Sequence, residues 1–162
     1  MKRVLVCSDS HGNERALLEA AEAERPDLLL HLGDGERDLD ALRGAYPDLE
    51  IRGVRGNCDW GSAAPLVRVT EVEGVRVFMT HGHEYGVKWD AGLLRLRYAA
   101  LERGARLALY GHTHSQRLER EDGMILLNPG ALDCGCYAIV TVEDGKVEAE
   151  LRSLGRILTR IR

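Results

Sequence analysis

Seven side chains in this sequence form a set of hard oxygen and imidazole donors: Asp9, His11, Asp34, Asn57, His81, His112 and His114. The set mixes carboxylates, imidazoles and one carboxamide oxygen, with no thiolate pattern. Such donors suit Mn, Fe, Co, Ni or Zn ions better than a thiolate-bound structural zinc, and they include too many imidazoles for a magnesium site. Seven donors exceed what one tetrahedral ion takes, whereas two divalent ions sharing a bridging carboxylate would use them all. Asp9-x-His11 and His112-x-His114 are i, i+2 pairs. In locally extended chain such residues point to the same side, so each pair is expected to address one metal region. Gly12, Gly33, Gly35, Gly56, Gly82 and Gly111 flank the donors, where the backbone must turn sharply or come close to a ligand.

The intervening elements must bring these donors together. Val4 to Cys7 is a short apolar run that predicts a buried strand, and the polar stretch Ser8 to Asn13 follows it. Ala16, Leu17, Ala20, Ala21 and Ala23 mark a helix that ends before Pro26. Leu28 to Leu32 predicts a second strand, Asp38 to Arg43 a short helix, and Glu50 to Val54 a third strand. This alternation argues for parallel strands joined by crossovers. Val67–Val72 and Val75–Met79 flank Glu73-Gly74, a hairpin-like turn, and a helix is expected from Ala91 to Arg103. Arg106 to Tyr110 is a further strand. Gln116–Glu119 with Met124–Leu127, and Tyr137–Val142 with Val147–Leu151, read as antiparallel hairpins, and Leu151 to Arg162 as a final strand with a basic tail. The expected fold is therefore α/β: two stacked mixed sheets with helices outside, in one domain spanning 1–162. Five strands each release a donor just past the carboxyl end, the edge where open α/β sheets bind ligands.

Composition narrows the class. The chain has 162 residues, 44% apolar and 30% charged, with a formal net charge of -4, an ordinary globular balance. A mildly acidic chain has no global reason to seek nucleic acid. A nuclease needs a basic stripe beside its site, and the nearby segments offer only Arg15, Arg37, Arg55 and Lys88. No apolar run approaches a membrane span. Cys7, Cys58, Cys134 and Cys136 show no CxxC spacing, and the sequence opens on a strand-like stretch without a signal-peptide pattern, so a reduced, cytoplasmic protein is expected. Cys134 and Cys136 are read as packing residues. The charged residues of Glu19–Arg25 and Glu143–Arg152 are read as solvated faces, and His31 as a strand histidine near the site rather than a ligand.

The ordered blocks Asp9-x-His11, Gly33-Asp34, Gly56-Asn57-x-Asp59, His81 and Gly111-His112-x-His114 resemble the calcineurin-like metallophosphoesterase superfamily. The small size and the Asn128-Pro129-Gly130 segment resemble its compact bacterial and archaeal phosphodiesterases. The resemblance spans residues 9 to 130 and implies a four-layer α/β/β/α sandwich. It also implies roles: Asp9, His11 and His114 on one metal, Asn57, His81 and His112 on the other, and Asp34 bridging. Two departures stand out. Many members carry His directly after the Asn, and here that position is Cys58. Compact relatives often carry Ser after Asn-Pro-Gly, and here it is Ala131, which implies a lost loop hydrogen bond.

The implied reaction is phosphodiester hydrolysis, with a metal-bridging hydroxide attacking phosphorus in line with the leaving oxygen. The implied cofactors are two divalent ions, Mn²⁺ first, with Ni²⁺, Co²⁺, Fe²⁺ or Zn²⁺ as alternatives. The implied partner is a small phosphodiester; a homo-oligomer is compatible with the sequence. Asn57, Cys58, Asp59 and His83 are the candidate catalytic positions. Asp59 is read as orienting neighbouring groups ahead of direct catalysis, and His83 either as a phosphate contact or as an outer histidine. A thiol is a weak hydrogen-bond donor, and one beside two cations is expected to have a lowered pKa, so Cys58 is a poor general acid. Scaffold proteins on the same fold have lost metal donors, whereas all seven are present here.

Overall fold

A computed structural model describes residues 1–154 and 156–161. Strands β1 (Lys2–Cys7), β2 (Leu28–His31) and β3 (Glu50–Gly53) run parallel, linked by helices α1 (Glu14–Glu24) and α2 (Leu39–Ala45). Strands β9 (Cys136–Glu143), β10 (Lys146–Ser153) and β11 (Arg156–Ile161) complete that sheet, in the order β11-β10-β9-β1-β2-β3. The second sheet is built from β4 (Val67–Val72), β5 (Val75–Thr80), β6 (Leu107–Leu109), β7 (Arg117–Glu121) and β8 (Met124–Asn128). Its order is β4-β5-β6-β8-β7, with β5, β6 and β8 parallel. Helix α3 (Leu94–Glu102) covers its outer face. Arg162, part of the expected basic tail, lies outside the described residues.

Period-two alternation splits each inner strand between two cores. Val4 and Val6 of β1 enter the core between the sheets with Leu28, Leu30, Val77, Met79, Leu107 and Leu109. Leu5, Cys7 and Leu29 point the other way, against Leu17, Ala20 and Leu42 of α1 and α2. On the second sheet Phe78, Ala108 and Leu126 face Leu96 and Ala100 of α3. Three cores between four layers make the α/β/β/α sandwich. None of the described helices is long and apolar enough to cross a membrane.

Some expectations need correction. The third helix starts at Leu94 rather than Ala91, because the Asp90 carboxylate accepts from the amides of Gly92 and Leu94, and Leu93 is left-handed. Cys134 is exposed and Cys136 partly so; neither is a core packing residue. Their position explains it, since a 3-10 turn (Leu132–Cys134) lifts the chain to the surface before β9. The charged runs are not all solvated: Glu24 is 7% exposed and Glu150 8%. Glu24 accepts from Arg3, Arg152 and the Tyr137 hydroxyl, which makes its burial tolerable.

Candidate metal centre

Parallel strands in both sheets end on one edge, and their loops carry the candidate donors there. Asp9 and His11 follow β1, Asp34 follows β2, Asn57 and Asp59 follow β3, His81 follows β5, and His112 and His114 follow β6. Two sets of donor atoms lie close enough to grip an ion: Asp9 with His11 and His114, and Asp34 with His81 and His112. A third, His11 with Asp34 and Cys58, joins them. The Asp9 carboxylate is fully buried. Its Oδ2 accepts from the Ser8 hydroxyl at 2.5 Å and the His112 amide at 3.1 Å. Its Oδ1 has no hydrogen-bond partner among the described residues. Around that oxygen stand the Nε2 atoms of His114, His11 and His81 at 3.0, 3.6 and 3.8 Å. A buried, orphaned carboxylate oxygen ringed by imidazole nitrogens fits a bound cation, and the mixed O and N donors fit a divalent transition metal.

The spacing argument for the two i, i+2 pairs fails in its detail. Asp9, His11, His112 and His114 have φ of 55°, 44°, 68° and 60°, and Asp34 has 55°. The chain at these residues is left-handed rather than extended, a conformation that costs non-glycine residues energy and gathers at functional sites. His112 and His114 consequently join different donor sets instead of sharing one. The loops also approach one another through glycine. A Cβ on Gly56 would sit 2.0 Å from Asp34 Oδ1, so only glycine leaves room for that carboxylate.

The surroundings set the protonation of the donors. The Nδ1 of His81 donates to the Leu32 carbonyl at 2.7 Å, leaving Nε2 toward Asp34 Oδ2 at 3.3 Å. Burial, followed by His81 and Lys88, pushes His112 down to about 4, so it is a neutral imidazole near pH 7. Burial works to raise the Asp34 carboxyl, but His81, when protonated at both nitrogens, and the Cys58 amide outweigh it and hold it well below the usual carboxylate range. Burial and then the neighbouring Asp34 carboxylate push the Cys58 thiol up, so any lowering has to come from bound cations. Asn57 stands exposed beside it, its amide nitrogen 3.5 Å from the thiol sulfur.

The remaining expected residues have definite places. His83 lies in the cluster, its ring centroid 5.4 Å from that of His81, and its buried Nδ1 has no hydrogen-bond partner among the described residues. Both oxygens of Asp59 are taken up by backbone amides, Gly56 and Asp34 on one and Gly35 and Glu36 on the other. That is an orienting clamp between two loops. His31 accepts from the Gly33 amide and contacts the Ser10 hydroxyl, which donates to Asp38. It is a buried strand histidine beneath the site. The sequence reading overlooked Ser8, and it took Asn128 only as part of a resemblance. The Asn128 amide donates to the Gly111 carbonyl and the Thr113 hydroxyl, holding the loop that carries His112 and His114. Its place at the end of β8, a strand parallel to β6, was the available signal.

Known proteins resemble this chain in sequence and in fold. Residues 1–145 match the calcineurin-like phosphoesterase superfamily domain. The chain is 34% identical over 150 residues to the probable metallophosphoesterase YsnB of Bacillus subtilis, covering 87% of this chain and 85% of that protein. It is 28% identical over 157 residues to phosphodiesterase YfcE of Escherichia coli, covering 82% of this chain and 80% of that one. A crystal structure of an uncharacterised Streptococcus pneumoniae protein, described as a predicted phosphoesterase, superimposes with a TM-score of 0.76 at 27% identity, over 94% of this chain and 90% of that one. With its fold, its converging donors and a family match across most of its length, the chain belongs to the calcineurin-like phosphoesterase superfamily, whose members use divalent metal ions.

Proposed function

We propose that the chain acts as one domain that hydrolyses phosphodiester bonds, holding two divalent ions, Mn²⁺ first among them. Asp9, His11 and His114 hold one ion, Asn57, His81 and His112 hold the other, and Asp34 lies between them. The observation that carries this reading is the orphaned Asp9 Oδ1, buried and faced by three imidazole nitrogens. When bound, such ions supply an activated water and positive charge for the phosphoryl oxygens.

The protein's own groups do the positioning. The Leu32 carbonyl fixes the tautomer of His81. The Cys58 amide, 2.8 Å from Asp34 Oδ1, holds one oxygen of that carboxylate and leaves Oδ2 free to face inward. Asp59 ties the loop of Asp34 to the loop of Asn57, so both donors move as one unit. His83, with burial and then His81 lowering its pKa, is a neutral group beside the phosphate position at pH 7.

Charge selects the substrate. Two divalent cations, two carboxylates and a hydroxide nucleophile leave roughly one positive charge, which a phosphodiester monoanion balances and a monoester dianion overshoots. An aryl diester should therefore have a higher kcat/KM than the matching monoester, after exhaustive chelation and reloading with Mn²⁺, Co²⁺ or Ni²⁺. Full activity in the chelated protein would sink the metal reading, and a monoester preference would sink the charge argument.

A further inference from the structure

A cavity of about 310 Å³ opens directly beside the donor cluster, sharing His11, Asp34 and Cys58 with it. Trp60 forms part of its wall. The indole is 83% exposed. Single exposed apolar side chains are ordinary on protein surfaces, so exposure alone says little. The placement says more. This ring stands at the wall of the space that adjoins the reacting position, among otherwise polar neighbours.

The backbone on either side of Trp60 is tied down. Its neighbour Asp59 is locked by four backbone amides. The Ser62 amide donates to the Asp59 carbonyl at 3.3 Å, and the Arg55 guanidinium donates to the Ser62 carbonyl at 3.3 Å. An exposed aromatic face on an anchored loop offers a planar ligand a surface to stack on. The wall also carries Arg37, an exposed guanidinium with no ion pair among the described residues. Glu36 and Arg37 also line a second cavity of about 250 Å³, which reaches Arg43 and Gly61. The cavity beside the donors is large enough for an ester arm bigger than a methyl group.

We propose that Trp60 is a specificity-determining residue that stacks a nucleobase, so that the diester cleaved here is a nucleoside phosphodiester. This rests on the phosphodiesterase reading and deepens it. The formal net charge of -4 and the absence of a basic stripe favour a mononucleotide or dinucleotide ester over a nucleic-acid polymer.

The chain has two tryptophans, so a Trp89→Phe background isolates the fluorescence of Trp60. Adenosine 5′-monophosphate and methyl phosphate serve as probes on the metal-loaded protein, by fluorescence titration and as competitive inhibitors of methyl p-nitrophenyl phosphate hydrolysis. The nucleotide should quench Trp60 saturably and bind more tightly than methyl phosphate. Trp60→Ala should reduce that preference about tenfold, the scale of a lost base stack, and Trp60→Phe should restore most of it. Absence of quenching, equal binding of the two probes, or equal weakening of both in Trp60→Ala would overturn the proposal. Quenching in a protein that hydrolyses no diester would support the stacking site and remove the phosphodiesterase reading, so the two failures are distinguishable.

Discussion

Two regions of this molecule bury carboxylates, and they do so in opposite ways. At the strand-end loops, Asp9 is fully buried with one oxygen unpaired, and five of the ten non-glycine residues with positive φ are candidate donors. At the end of α1, Glu24 is buried with both oxygens satisfied, by Arg3, by Arg152 and by the Tyr137 hydroxyl. The first region carries backbone strain and an unpaired oxygen that a bound cation would pair. The second is saturated, with nothing left to offer a ligand. Buried charge thus marks function where its bonding is incomplete and stability where it is complete.

The comparison breaks most visibly at Asp34. Asp34→Asn removes a negative charge from the donor cluster while keeping an oxygen for the Cys58 amide. The variant should lose at least one ion by metal analysis and ~10³-fold or more in kcat/KM, the scale of removing an electrostatic stabiliser at the reacting centre. Its ion-free form should melt close to the ion-free wild type. A large loss of stability in the ion-free protein would mean that Asp34 is structural, as Glu24 is.

Glu24→Gln should show the reverse pattern, with kcat/KM nearly unchanged and stability reduced by about 2 kcal/mol, the range for hydrogen bonds to a charged group. Burial works to raise this carboxyl, but the Tyr137 and Arg3 hydrogen bonds and the Arg152 charge hold it below its ordinary value. A depressed folded pKa gives stability that is present above the unfolded carboxyl value, about 4.3. That stability is lost as pH falls through the folded value. The melting-temperature gap between wild type and Glu24→Gln should therefore be full at pH 7 and close as the solution is acidified below about pH 4. A gap that widens in acid would show that the charge is not what stabilises the cluster.

The smallest effect sharpens the backbone half of the comparison. Gly145 has φ +73° in the turn between β9 and β10, with nothing within 4 Å of an added Cβ. Its left-handed conformation closes the local hairpin, and its carbonyl, which alanine would keep, accepts from the Arg106 guanidinium at 2.9 Å. Gly145→Ala should cost about 1 kcal/mol in denaturant unfolding and leave activity alone, because only the conformational penalty is at stake. A larger cost would mean that the turn bears on distant packing, as the loops at the site do.

The sequence by itself determined a great deal here. Short apolar runs in β1, β2, β5 and β9 and the turn pairs Glu73-Gly74, Asp122-Gly123 and Asp144-Gly145 are local signals for the strands and hairpins. The donors were legible because each stands just past a strand, and their order along the chain carried the family. Only the tertiary structure decided the rest. His112 and His114 part company because both residues are left-handed, a conformation imposed by contacts such as the Asp9 carboxylate on the His112 amide across 103 positions. Asp59 is a clamp because amides from two loops meet its oxygens. Trp60 reads as an ordinary surface residue until the cavity wall is seen. Glu24, set in a charged helical run, reads as solvated until Arg152, distant in sequence, reaches it. In each case the deciding partner is remote along the chain, and neither periodicity nor spacing encodes which remote groups will meet.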